Sequence, residues 1–345
     1  MQNISPQLHL PQIQNKMKYF LTGGTGFVGS YLAKLLRKES HEVIALVRNP
    51  SKANDLAAIG CTLVKGDVTE KESMKAAMAG CDGVFHVAGW YKVGTRTRKQ
   101  RLEGNRINID GTRNVLELMR DLGIKKGVYT STLAVNSDTK GELVNENYHF
   151  EGKHISHYDY TKAEAHKIAL DFIKKGLPLV VVMPGLIYGP GDTSSVRTTL
   201  IQYLKGKLPM LPRKTAYSWA HVEDIAQAHY DAMLKGKTGE KYIIAGPTHS
   251  ILDAIGIAHR ITGKRQPRAV NPGVLRFMSH FMSLFDWLLP IPADYTSENL
   301  RILAGATYIG ANAKAKEELG YDPRSLKEGL STTLWHEMRL LGMVK

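Results

Sequence analysis

From Lys18 to Ala245 the chain alternates short apolar runs with amphipathic stretches, and this alternation limits the fold more than any other feature. The strand-like runs are Lys18–Thr22, Glu42–Arg48, Thr62–Lys65, Gly83–Ala88, Gly127–Ser131, Leu179–Pro184 and Lys241–Ala245. They are rich in Val, Ile, Phe and Tyr and nearly continuous in apolar residues, as strands buried on both faces are. Helical patterns lie between them, over Gly26–Lys38, Glu70–Ala79, Arg106–Leu122, Tyr158–Lys174 and Val222–Leu234. Strand and helix in turn predict an α/β fold, a parallel sheet with helices on both faces. Right-handed crossovers make that sheet doubly wound. After Pro184 the alternation lapses: residues 185–220 are rich in Gly, Pro, Ser and Thr, and residues 246–345 read as helices with loops. The expected division is a body over 17–184 and about 220–245, and a smaller C-terminal lobe from about 185–219 and 246–345. Segments inserted there lie beyond the carboxyl ends of the strands, the side on which such sheets bind ligands.

Composition removes several classes. The 345 residues are 43% hydrophobic and 23% charged, the balance of a soluble globular chain. Cys61 and Cys81 are too few for a disulfide scaffold or a four-cysteine zinc site. They suit a reducing compartment, the cytoplasm, and read as small buried hydrophobes. A net charge of +14 raises a nucleic-acid partner. Lys and Arg are nevertheless spread along the chain, and no nucleic-acid partner is expected. The one dense run, Arg96–Arg101, reads as a solvated loop, with an anionic ligand as the other reading. Residues 1–16 lack the apolar core of a secretory signal and read as a disordered leader, with Met17 a second place to start. The most apolar stretch, Val274–Ile291, contains Arg276, His280 and Asp286, which argues against a transmembrane segment.

Between the first strand and the first helix stands Thr22-Gly23-Gly24-Thr25-Gly26-Phe27-Val28-Gly29. In a strand–loop–helix setting this G-x-x-G-x-x-G spacing wraps a dinucleotide pyrophosphate. Gly23 permits the sharp turn, Gly26 lets phosphate oxygens approach the backbone, and Gly29 lets the helix pack on the strand. The helix N-terminus supplies N–H groups and a positive dipole end. An acidic residue at the end of the second strand would hold the ribose of NAD. Arg48 stands there instead, nineteen residues past Gly29, with Lys52 close behind. Cations at that place suit the 2′-phosphate, so the expected cofactor is NADP(H) rather than NAD(H). Asp67, followed by Val68, ends the third strand, where it meets the adenine edge or caps the following helix. His86-Val87-Ala88-Gly89 runs past phosphates and ribose, with His86 read as a packed core histidine. Pro184-Gly185-Leu186-Ile187 is expected to wall the nicotinamide.

Tyr158 and Lys162 stand i, i+4 on a helix and share a face. A free phenol has a pKa of ~10, and a neighbouring ammonium favours its anion. Tyr158 then serves as general acid in reduction and general base in oxidation. The fifth strand ends Tyr129-Thr130-Ser131-Thr132, hydroxyls able to polarise a substrate carbonyl. Asn108, placed early in the preceding helix, reads as a cap or structural hydrogen-bonding residue.

Together these residues resemble the extended short-chain dehydrogenase/reductase family, the NAD-dependent epimerase/dehydratase superfamily. Thr22 to Gly29 matches its T-G-x-x-G-x-x-G, Tyr158 to Lys162 its Y-x-x-x-K, Pro184 to Pro190 its P-G-x-x-Y-G-P, and His221 to Ala226 its H-V-x-D-x-A. The resemblance implies a Rossmann body with a substrate lobe, no metal, and a homodimer. It also implies a third catalytic member at Thr132, with Ser131 adjacent. Asp82 to Ala88 and Leu46 to Pro50 look like the dihydroflavonol-reductase branch, which uses NADPH to reduce ketones or aldehydes. Dehydratases carry acidic residues after the catalytic hydroxyl, where this chain has Leu133-Ala134. The expected activity is therefore reduction of a small-molecule carbonyl. Phe277, Phe281, Phe285 and Trp287 give the lobe an apolar supply or, on the plainer reading, its own core. A nucleotide-sugar or lipid-linked sugar epimerase is the second reading, with Arg197, Arg213 and Arg268 on a diphosphate. A cofactor-sensing binding protein is the third, and the Tyr158–Lys162 pair weighs against it.

Overall fold

The computed structural model describes residues 16–92, 94–95, 97–208, 210–283 and 297–344. The strands are β1 (Lys18–Thr22), β2 (Glu42–Val47), β3 (Thr62–Lys65), β4 (Gly83–His86), β5 (Gly127–Thr130), β6 (Leu179–Pro184), β7 (Leu186–Tyr188), β8 (Met210–Pro212), β9 (Ala216–His221), β10 (Lys241–Ile244), β11 (Thr248–Ser250), β12 (Arg268–Val270) and β13 (Thr307–Tyr308). The helices are α1 (Phe27–Lys38), α2 (Asn54–Ala58), α3 (Lys71–Met78), α4 (Arg98–Asn105), α5 (Gly111–Asp121), α6 (His157–Lys174), α7 (Ser195–Leu204), α8 (Val222–Leu234), α9 (Ile251–Thr262), α10 (Pro272–Ser283), α11 (Ser297–Leu303), α12 (Ala313–Leu319) and α13 (Leu326–Leu340).

Seven strands form one sheet in the order β10-β6-β5-β4-β1-β2-β3, all neighbours parallel. Along the inner strands, side chains alternate between two buried faces. Leu21, Ala45, Phe85, Val128, Val180 and Val182 enter one core, against α1 and α8. Phe20, Ile44, Val84, Tyr129, Val181 and Met183 enter the other, against α3, α5 and α6. Burying a side chain of this kind stabilises by roughly 1.5–3 kcal/mol, so continuous apolar runs select a central, two-sided position. The order reverses between β1 and β4, and the crevice at their carboxyl ends is where such a sheet receives a ligand.

Beyond β6 the chain builds a second layer from short strands. β9 pairs with β7, β11 and β13, and β8 pairs with β12. The reading of 246–345 as helices with loops thus omits β11, β12 and β13, which are too short to carry a period. That segment is also divided in its packing. Ala315, Leu319 and Tyr321 join the body's core with α1 and α8, whereas Leu326, Leu330 and Leu334 pack with Leu200, Tyr203 and Trp219. Arg324 ties the two by a fork onto Asp224 at the start of α8, at 3.0 and 2.7 Å.

Two further expectations change. The basic run is a loop in neither half of its described part: Arg98–Arg101 opens α4, capped by Thr97 and Gln100 in a reciprocal box. It is solvated, as expected. Arg96 lies outside the described residues, as does the leader apart from Lys16. α4 runs through a π turn at Arg106–Asp110 into α5, so Asn108 sits deep inside a continuous helix rather than near its start. Among the described residues no helix is long and apolar enough to cross a membrane.

Candidate active site

At the reversal point the glycine loop is held by contact. Gly23 has φ +75°, and a Cβ there would stand 2.6 Å from Ala88 N. A Cβ on Gly29 would stand 2.1 Å from Gly23 O. No side chain larger than hydrogen fits either place, which is how α1 comes so close to β1 and β4. Thr22 Oγ1 accepts from Ala88 N and shares a hydrogen bond with His86 Nδ1, tying the two strand ends. His86 also meets Thr112, and burial lowers its pKa to about 3, so it is a neutral structural histidine. Gly26 caps α1 with no side-chain hydrogen bond, and the first turn holds no acid. Thr25 and Gly26 are exposed, with Phe27 and Val28 half-buried. An uncapped helix start facing an open loop fits a pyrophosphate.

Arg48 follows β2 and Lys52 ends a short turn capped by Asn49; both are exposed, without an ion-pair partner among the described residues. Asp67 accepts from Thr69 N and Thr69 Oγ1. It therefore closes a turn rather than capping α3, whose N-cap is Glu70. Val68 is buried against Gly111. Val87 and Ala88 are half-buried, and exposed Gly89 would put a Cβ 3.5 Å from Asn108 Oδ1 and 3.9 Å from Lys162 Nζ. The path from the glycine loop to the lysine is thus open. Pro184 is buried at the end of β6, and Gly185, Leu186 and Ile187 beside it are half-buried. These residues fit a dinucleotide laid from Arg48 across the loop to Lys162.

α6 begins at Ser156, whose side chain accepts from Asp159 N. In this first turn Tyr158 packs half-buried against Ala134, just past the end of β5, with Thr132 beside its hydroxyl. Burial raises this phenol well above its ordinary pKa, with Tyr91 and Asp159 adding and Thr132 opposing. It is protonated at neutral pH. Lys162 Nζ donates to Thr130 O at 2.8 Å and meets Tyr129 OH at 3.5 Å. Burial lowers its ammonium to about 8. The two neighbouring hydroxyls differ. Ser131 is buried and shares a 2.7 Å hydrogen bond with His166 Nδ1, on the inner side of α6. Thr132 is half-exposed and caps the next turn through Ala134 N. The geometry joins Tyr158, Thr132 and Lys162 and turns Ser131 away.

The family model for the NAD dependent epimerase/dehydratase family matches residues 19–245. The chain belongs to that family. As a member it is an NAD(P)-dependent oxidoreductase. A Synechocystis sp. protein provisionally named dihydroflavonol 4-reductase is 30% identical over 342 residues, 95% of this chain and 96% of its own. The 4-hydroxy-2-methyl-3-oxo-4-farnesyl-3,4-dihydroquinoline-1-oxide ketoreductase of Stigmatella aurantiaca is 32% identical over 236 residues, 66% of this chain and 68% of its own. The crystal structure of gox2253 matches with a TM-score of 0.81 at 27% identity, over 96% of this chain and 100% of that one.

Several residues at this family member's site escape sequence reasoning. Tyr91 meets the Tyr158 ring edge-on, with centroids 4.9 Å apart. Asp159, buried beside Tyr158, accepts from Ser156 and Tyr308 and has its pKa raised by burial to about 7. Tyr308 stacks on Tyr217 at 5.6 Å. Glu298 of α11 accepts from Thr95 N, Thr95 Oγ1 and His157 N, joining the lobe to both sides of the site. Asn108 accepts from Trp90 N and donates to Trp90 O and Thr161 Oγ1, the structural role expected of it. Only its π turn could have been guessed, from a long helix carrying a polar residue where an apolar one belongs. The others come from residues up to 203 positions apart. Phe277 and Phe281 do not line a lobe core: they are 74% and 55% exposed. Phe285 and Trp287 lie outside the described residues.

Proposed function

We propose that the protein is an NADPH-dependent reductase of a ketone or aldehyde, with Tyr158 as proton donor. The observation that carries this is a half-buried phenol, protonated at neutral pH and set beside Thr132, one helical turn before a buried lysine, at the strand ends beside the glycine loop. Bound in the crevice, the reduced cofactor supplies a hydride. Thr132 and Tyr158 hold the substrate oxygen by their hydroxyls, which polarises the carbonyl. Tyr158 then gives its proton to that oxygen. Lys162, charged below about pH 8, stabilises the phenolate left behind and orients the ribose. Asp159 and Ser156 fix the first turn of α6 and so the position of the phenol.

The surroundings favour an uncharged substrate. Tyr91, Tyr217, Tyr308, Ile155 and Ile302 make the wall apolar and aromatic. Among the described residues, Asp159, Asp192 and Glu298 bring carboxyl groups near this wall. The arginines considered for a sugar diphosphate are otherwise engaged or solvated: Arg197 bonds Glu337 at 2.8 Å, and Arg213 and Arg268 are exposed at the β8–β12 pair. Arg48 and Lys52 support the choice of NADPH.

The test is a panel of aromatic and aliphatic ketones, aldehydes and nucleotide sugars, followed by NADPH absorbance and by product analysis. The expected result is stoichiometric NADPH consumption with an uncharged carbonyl. Arg48→Asp should then lower the ratio of NADPH to NADH affinity by about tenfold or more, from the loss of one phosphate contact. Interconversion of nucleotide sugars without net NADPH consumption would refute the reading.

A further inference from the structure

α10 turns its apolar side outward. Leu275 and Ser279 are buried, so a serine occupies an inward position. Val274, Phe277 and Met278, at i, i+3 and i+4, are 53%, 74% and 38% exposed. A surface helix ordinarily does the reverse, and clustered exposed apolar side chains mark a contact surface. The β8–β12 pair that leads into α10 exposes Met210 as well.

The exposed charge that the two segments meeting at the β8–β12 pair bring to this helix is positive. Thr193–Val222 and Ala254–Ser283 contain no Asp or Glu, and the β8–β12 pairing brings the two segments together. The first contributes Lys205, Lys207, Arg213 and Lys214, all exposed and without an ion-pair partner among the described residues. The second contributes Lys264, Arg265, Arg268 and Arg276 in the same condition. Lys140, Lys214 and Arg276 line one cavity of about 420 Å³ at α10. Its one carboxylate, Asp138, is already engaged, with a single oxygen accepting from Lys140 N, Thr307 N and Thr307 Oγ1.

We infer that this face docks on an anionic lipid bilayer, with Val274, Phe277 and Met278 entering the interface and the cations meeting the headgroups. Aromatic and aliphatic side chains beside a cationic rim are what an anionic bilayer surface binds. A nucleic acid would satisfy the cations but gives nothing to Val274 and Phe277. A symmetric pairing of two copies across this face would set like charges against each other. Docking requires no membrane span, and α11, packed on α10, is bonded through Glu298 to the start of α6.

The test is flotation of the full chain, with NADP bound, on phosphatidylcholine vesicles with and without about one-third phosphatidylglycerol. Expected is at least about tenfold stronger binding to the anionic vesicles, lost at high salt. Phe277→Glu should weaken it about tenfold or more, and Phe277→Leu should not. Lys214→Glu with Arg276→Glu should weaken it about as much. Unchanged melting temperature and NADPH fluorescence establish that each variant is folded. Equal binding to neutral and anionic vesicles, or indifference to Phe277→Glu, would overturn the inference. So would tighter, Phe277-independent binding to an oligonucleotide, or a dimer in sedimentation that Phe277→Glu dissolves.

Discussion

The sheet body and the lobe that follows β6 are held together in different ways. In the body, strands of four to six residues pair in parallel, the inner ones buried on both faces, and helices carry the chain from one strand to the next, with α3 crossing from β3 back to β4 at the reversal. Its ligand-facing parts are backbone: a glycine loop, a helix start and strand ends. In the lobe, strands of two or three residues gather on the six-residue β9 or pair as β8 with β12, far apart in the chain, and α10 leaves Val274, Phe277 and Met278 outside. The difference separates two jobs. The body offers a fixed cradle that depends on absent side chains, whereas the lobe completes the site with particular side chains: Tyr217, Tyr308 and Glu298.

The cradle is where a small change has the largest effect. Gly29→Ala places a methyl 2.1 Å from Gly23 O, a backbone atom that cannot move without opening β1 from α1. NADPH affinity, read by fluorescence titration, should fall by at least about a hundredfold, because the lost contacts are the phosphate-binding N–H groups. Near-normal affinity would show that the loop is not the phosphate site.

Next in size is the contrast between adjacent hydroxyls. Thr132→Val keeps the shape and removes the hydroxyl at Tyr158, so turnover should fall about 10²–10³-fold, the usual cost of one polarising donor. Ser131→Ala should leave turnover within a few-fold. It should instead lower thermal stability, because His166 Nδ1 loses its buried partner, a loss of about 1–3 kcal/mol. If Ser131→Ala lost turnover and Thr132→Val did not, the assignment would be reversed.

These regions also differ in how much of them the sequence reveals. β1, β3 and β6 and the helix α8 have the bounds that their apolar patterns predict, and for β1 and β6 burial on both faces leaves little freedom. Gly23, Gly29, Tyr158, Lys162 and Thr132 were legible because each sits at a fixed offset from a strand or helix end. α4 was not, since Arg98–Asn105 buries only Gly104, against Trp90. Its one signal was the Thr97–Gln100 capping box, which needs no apolar face. The resemblance placed Thr132 in the site with Ser131 adjacent, and α6 separates the two by setting His166 against Ser131 and Tyr158 beside Thr132. Tyr308 and Glu298 reach α6 across 149 and 141 residues, and nothing local marks them.

The smallest expected effects concern charge buried at the junction of body and lobe. Asp159 has a folded pKa of about 7, above its ordinary 3.8, so the folded state holds its proton more tightly. Its contribution to stability is complete below about pH 4 and is lost as the pH rises through 7. Asp159→Asn should therefore flatten melting temperature between those limits. Lys162 is lowered to about 8 from 10.5, so the unfolded state binds more protons between these values. Stability should rise with pH across that window, and Lys162→Met should remove the rise. Unchanged slopes in the two variants would show that neither group is desolvated as described.

The central claim is that Tyr158 delivers the proton and takes little part in holding the cofactor. It is tested most directly by Tyr158→Phe, with NADPH affinity and turnover of an active carbonyl measured on one preparation. The account predicts affinity close to wild type and turnover lower by about 10²–10⁴, the range for loss of a general acid. Turnover near the wild-type value would place the proton donor elsewhere and contradict the account.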